Sequence, residues 1–166
     1  MAVRGWPKSL TWHNFRVVQS APPDETEDAQ IEASMGAPAQ VKVRPDGDHV
    51  RLGSFDVNVE IVQHGTWVVR GKSTASLLSH EQGHWDIAGL SAHEYHRALE
   101  AVRASDQSEL AQLVQEALER AQKKVDGLQE KYDRETNHSR DSASQARWST
   151  LIRDCIMDGK RALPDP

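Results

Sequence analysis

Only one cysteine, Cys155, occurs in the 166 residues, so the fold must be stable without an internal disulfide, in a reducing or an oxidising compartment. No run of apolar residues is long enough to cross a bilayer. The opening stretch, Met1 to Lys8, also lacks the apolar core of a signal peptide. An excess of positive charge is missing too. With 20 Lys and Arg against 25 Asp and Glu, the net charge of -5 gives no general attraction to nucleic acid or to an anionic membrane. The expectation is a soluble chain with neither as a partner. Internal repeats and a separable linker are absent, and 166 residues is the size of one ordinary domain.

What is present is a globular composition, 37% hydrophobic and 27% charged, with five Trp as large core anchors. Residues 1–70 read as mainly strands. Val57, Val59 and Ile61 alternate with Asp56, Asn58 and Glu60 in the period of a half-buried strand. Further strand candidates lie at residues 11–15, 30–34, 40–44 and 67–70. Pro45-Asp46-Gly47-Asp48 is a hairpin turn, and residues 22–28 form an exposed loop.

Residues 73–158 read as mainly helices. Ser73 or Thr74 caps a helix running to about Ser105. Asp106 with Glu109 opens a second helix, whose apolar stripe from Leu110 through Leu118 and Val125 to Tyr132 packs antiparallel on the first. After a polar break at residues 136–144, Trp148, Leu151, Ile152, Cys155 and Ile156 mark a shorter helix that Gly159 can terminate. The expected architecture is therefore one α+β domain: a mostly antiparallel N-terminal sheet, two long antiparallel helices and a shorter C-terminal helix.

The first helix carries His80-Glu81-Gln82-Gly83-His84. Four residues apart on a helix, the two imidazoles sit about 40° apart on one face and can grip one ion. Glu81 flanks them, where a general base for a metal-activated water belongs. Gly83 removes bulk at a point of close packing. The bland reading is a polar, solvated helix face. His93 and His96 have a surface or structural role, and His93, about 180° around the helix from His84, cannot share a metal with it. His13, His49 and His64 have no partner at ligand spacing and are structural. Asp86, two residues after His84, is either a hydrogen-bond acceptor behind the site or a surface residue.

A catalytic zinc takes three protein ligands, so one must come from elsewhere. The metzincin continuation is excluded, because Ile87 and Leu90 stand where its Gly and third His would be. An antiparallel second helix brings the cluster from Tyr132 to His138 back to the start of the first. His138, Asp133 and Glu135 are the possible third ligands, and His138 ranks first as an imidazole free to reorient at a helix end. A hydroxyl such as that of Tyr132 can stabilise a tetrahedral intermediate, or can simply pack.

Four segments together carry a resemblance: Leu10-Thr11-Trp12-His13-Asn14-Phe15, Leu77 to Ile87, Tyr132-Asp133-Arg134-Glu135-Thr136-Asn137-His138, and Gln145 with Trp148. In this order they resemble a family of bacterial secreted zinc-dependent proteases, long catalogued as a domain of unknown function. The resemblance implies a zincin-like fold and a Zn2+ held by His80, His84 and His138. It implies hydrolysis of a peptide or protein substrate with Glu81 as general base. This chain departs from the family pattern at Asn14, where Asp is usual, and at Ser139, where Gly is usual. The family is typically secreted or periplasmic, whereas this chain shows no signal peptide, so a cytoplasmic location stays open. Two rival readings are a noncatalytic zincin-like binding module with a structural metal, and a helical interaction protein using the Leu110 to Tyr132 stripe.

Overall fold

A computed structural model describes residues 3–23, 25–38, 42–158 and 162–165. Strands come first and helices after, an α+β arrangement. The strands are β1 (Val3–Arg4), β2 (Arg16–Val18), β3 (Ala29–Gln30), β4 (Ala33–Met35), β5 (Val43–Asp46), β6 (His49–Leu52), β7 (Val57–Ile61) and β8 (Trp67–Val69). The helices are α1 (Ala75–Ala101), α2 (Gln107–Thr136) and α3 (Ser142–Met157).

The expected single, mostly antiparallel sheet is three small ones. β7 lies between β1 and β4, β8 lies between β2 and β3, and β5 and β6 form a hairpin turning at Gly47, whose φ is +65°. β1 on β7 and β2 on β8 are parallel, and the other pairs are antiparallel. Alternation of apolar residues gives a strand's face but not its direction, and both parallel pairings join segments far apart in sequence. The first expected strand is instead a 3-10 turn at Trp12–Asn14, closed by the Asn14 side chain on Thr11 N–H at 2.9 Å. The expected strand at 30–34 is broken, because the chain leaves one sheet after Gln30 and joins the other at Ala33. Part of the 40–44 candidate, and Gly159, lie outside the described residues.

The helices follow the 3.6 periodicity closely. Thr74 caps α1 by accepting from Leu77 N–H at 3.2 Å, and Asp106 caps α2 by accepting from Ser108 and Glu109 N–H. α1 is the central element. It packs on β1, β3, β4, β6 and β7 on one side and on α2 and α3 on the other, which is why residues all round it are buried. Glu94 meets Lys124, His84 meets Gln129 and His80 meets Asp133, so α2 runs antiparallel to α1. The N-terminal segment clamps the outer face of α1. Trp6 sits where a methyl group on Gly89 would collide with its ring, and it donates its indole N–H to Asp86 at 2.8 Å. Gln82 is held by Leu10 N–H and by the Lys8 carbonyl. Among the described residues no helix is long and apolar enough to cross a membrane.

Candidate metal centre

His80 and Glu81 are both 1% exposed, at the level where α1 passes beneath the crossing from β3 to β4. At that crossing Ile31 N–H pairs with neither sheet. Glu81 Oε2 accepts from it at 2.8 Å, in a buried contact. The other carboxylate oxygen, Oε1, is buried with no partner among the described residues. Burial raises the Glu81 carboxyl above the usual range, and the neighbouring His84 and His80 offset part of that rise.

Tyr132 forms the wall behind both histidines. Its ring stacks on His80 with centroids 4.7 Å apart and meets His84 edge-on at 4.8 Å. A methyl group on Gly83 would come within 2.2 Å of the Tyr132 hydroxyl, so the small residue in the motif is what lets this ring sit there. The hydroxyl donates to the His80 carbonyl at 3.2 Å and accepts from Gln145 Nε2 at 2.5 Å. Tyr132 is fully buried and faces the inside of the helical layer, and burial raises its phenol well above the ordinary value.

Two glutamines then set the imidazole tautomers. The Gln145 amide nitrogen is committed to Tyr132, so its oxygen faces His80 Nδ1 at 3.0 Å. The Gln129 amide nitrogen donates to the His84 carbonyl at 3.0 Å, and its oxygen faces His84 Nδ1 at 2.5 Å. Each Nδ1 must therefore carry a proton, which leaves a lone pair on each Nε2 of a neutral ring. The two Nε2 atoms stand 3.2 Å apart, and Asp133 Oδ1 lies 3.1 Å from the one on His80 and 2.8 Å from the one on His84. Three electron-rich atoms thus converge and call for a cation between them. Ligands of a tetrahedral ion at about 2.0 Å stand about 3.3 Å from one another, close to all three separations. His80, His84 and Asp133 can hold a metal ion.

Without an ion, a proton takes the part of the cation. Burial would lower the His84 pKa, but the hydrogen bond it donates to Asp133 and the charges of Glu81 and Asp133 win, and it is pushed up to about 9. Burial would likewise raise the Asp133 carboxyl, yet hydrogen bonds from His80 and His84 hold it well below the usual range.

Asp133 lies beside the two histidine Nε2 atoms, and His138, which ranked first as third ligand, is turned to Glu27. α2 continues to Thr136, and Asp133 is one turn beyond Gln129 on the face turned to α1. His138 comes after the helix end, in a turn where Asn137, His138 and Ser139 all have φ between +47° and +70°. It pairs with Glu27, Nδ1 to Oε1 at 2.7 Å, and stays 3.8 Å from Asp133 Oδ1. Glu27, Asp133 and His138 thus form a second, outer group around the same carboxylate. Ser139 has a left-handed φ of the kind that favours Gly. Glu135 points the other way and accepts from Trp148 Nε1 at 2.8 Å. Asp86 faces Trp6 and Gln82, where burial raises its carboxyl. His93 packs edge-on against Trp6, and His96 lies over Phe55. His13, His49 and His64 are exposed.

Sequence reasoning gave Gln129 and Glu27 no part in the site, and it noted Gln145 without a role. Gln129 had a signal, because it precedes Asp133 by four residues on one helix face. Glu27 sits in an apparent surface loop and had none. Beside His84 and Glu81 a cleft of about 570 Å³ opens between α2 and residues 31–35. β4 forms one of its walls and is an edge strand of its sheet.

No curated protein and no solved structure matches the chain. A family model matches the chain from β2 to just past His138, so the match takes in the histidine motif, Glu27 and Asp133 but leaves Gln145 outside. By that match over residues 18–140, the chain belongs to the family described as bacterial protein of unknown function, DUF922.

Proposed function

We propose that this protein is a zinc-dependent endopeptidase with a zincin-like active-site helix. The observation that carries the reading is the convergence of the His80 and His84 lone pairs with Asp133, beside a buried carboxylate whose Oε1 has no other partner. Two imidazoles and one carboxylate at tetrahedral spacing suit zinc, which when bound supplies Lewis acidity and lowers the pKa of a coordinated water to about 7.

The chain's own residues account for the rest. Glu81 is held by Ile31 N–H through one oxygen, so the other is free to take a proton from the attacking water and return it to the leaving amine. An extended peptide can lie along the edge strand β4, which brings its backbone to the mouth of the cleft. Tyr132 acts here as the wall that orients both imidazoles, through its stacking on His80 and its bond to the His80 carbonyl.

The test is Glu81→Gln. Zinc content and fold should stay as in wild type, while cleavage of an unstructured protein falls by about 10²-fold or more. A variant that cleaves at the wild-type rate removes Glu81 from the chemistry. If folded, zinc-loaded wild type leaves peptides and unfolded proteins intact, the noncatalytic module with a structural metal replaces the peptidase.

A further inference from the structure

We propose that the cleft selects peptides with a Lys or Arg side chain beside the bond to be cut, an inference that rests on the peptidase reading above. Apart from His84, the charged side chains around the cleft have one sign. Glu25 and Glu27 come from the loop before β3, Glu32 from the β3–β4 crossing, Glu81 from α1, and Asp126 and Asp133 from α2. Among the described residues no Lys or Arg lines it. A chain with 25 acidic and 20 basic residues has ample positive charge to place there, and does so elsewhere.

Three of these carboxylates are already accounted for. Asp133 faces the two histidines, Glu81 holds Ile31 N–H, and Glu27 pairs with His138. Glu25 and Asp126 form no salt bridge among the described residues, while Glu32 folds its carboxylate over Gly65 at the cleft's rim. The crowding registers on Glu27, whose carboxyl is raised by burial first and by repulsion from Asp133 second. Carboxylates collected in a cleft with low-dielectric walls focus a negative potential on whatever enters it.

The smaller cleft on the other side of the site is different. It shares Glu27 and Glu81 but also has Lys72, His138 and Arg140 in its wall. The negative field therefore belongs to the β4 side and is not a property of the whole surface. A peptide paired along β4 turns alternate side chains inward, and a long cationic stem reaches the carboxylates while its backbone stays at the strand edge. Glu81, whose buried Oε1 has no partner among the described residues, lines the same cleft, so the charged wall and the reacting group serve one ligand.

The experiment uses the zinc-loaded full chain and three fluorescent peptides that differ only in carrying Lys, Gln or Glu beside the same central bond. The wild type should cleave the Lys peptide about tenfold better in kcat/KM than the Gln peptide, and the Glu peptide worst. The preference should shrink as salt rises from about 0.1 to about 1 M. Glu81→Gln, loaded with zinc, should bind the three peptides in the same order. The double variant Glu25→Lys, Asp126→Lys changes two exposed side chains and should reverse it.

Rates and affinities within about twofold across the three peptides overturn the proposal. So does a Lys preference that survives the double variant, or one abolished by a single bound calcium per chain, which would make the carboxylates a cation site. Cleavage of none of the peptides sinks the peptidase reading, but the binding order in Glu81→Gln still decides this one.

Discussion

Asp133 Oδ1 lies 2.8 Å from His84 Nε2, while His138 is turned to Glu27. In the proposed zinc site the carboxylate of α2 would close the triangle, and the histidine after the helix end stands one contact further out. Asp133→Ala should reduce bound zinc to less than about a tenth of an equivalent in folded protein, whereas His138→Ala should keep close to one. Metal analysis of the two purified variants decides between them. The opposite result would restore His138 as the third ligand.

The histidine pair could be read from the sequence because a helix converts a four-residue spacing into a shared face, and the segment around it kept helical periodicity on its own. Asp133 was harder to place. The polar break begins at Thr136 as expected, but spacing alone does not show that the last helical turn aims Asp133 at α1 while His138 falls beyond the helix end. The two glutamines escaped attention because an uncharged amide has no spacing rule; only the folded contacts show which atom faces which imidazole. In the strand half, the alternation at Val57 to Ile61 located β7, but nothing local could show that β1 joins it in parallel or that Ile31 lies at a sheet change.

Gln145 and Gln129 each fix the protonated side of one ligand histidine. Gln145→Leu and Gln129→Leu should each weaken zinc binding by about 10- to 100-fold with the three ligands intact. Competition with a chelator of known affinity reads this directly. Unchanged affinity in both would show that the tautomers are set by the metal alone.

The metal-free protein should titrate in a way the loaded one does not. His84 has an ordinary pKa of 6.5, raised in the fold to about 9 against the effect of burial by its bond to Asp133 and by nearby negative charge. A raised pKa stabilises the fold fully below 6.5, and that contribution is lost as pH climbs through about 9. The melting temperature of chelator-treated protein should thus fall over this window. Zinc must displace the same proton, so its apparent affinity should rise with pH up to about 9. A flat affinity from pH 7 upward would mean that the Nε2 lone pairs are free without metal.

Gly83 and Tyr132 provide a test of packing that separates the site from the helix carrying it. A methyl group at Gly83 would lie 2.2 Å from the Tyr132 hydroxyl, 2.6 Å from Cζ and 3.0 Å from Cε1, all inside van der Waals contact. The ring has nowhere to go: His80 stacks on it, Trp148 meets it at 5.2 Å, and its hydroxyl is bonded to the His80 carbonyl and to Gln145. Overpacking of this kind costs about 1–3 kcal/mol, against which alanine's helix propensity returns about 1 kcal/mol. Gly83→Ala should therefore lower the urea midpoint and, by shifting the wall behind both imidazoles, weaken zinc binding too. In a Tyr132→Leu background the collision is gone and only the propensity gain is left, so the same substitution should become neutral or stabilising. A Gly83→Ala change that raises the midpoint with Tyr132 in place would show that the ring can move, and that the site tolerates a looser wall than its geometry implies.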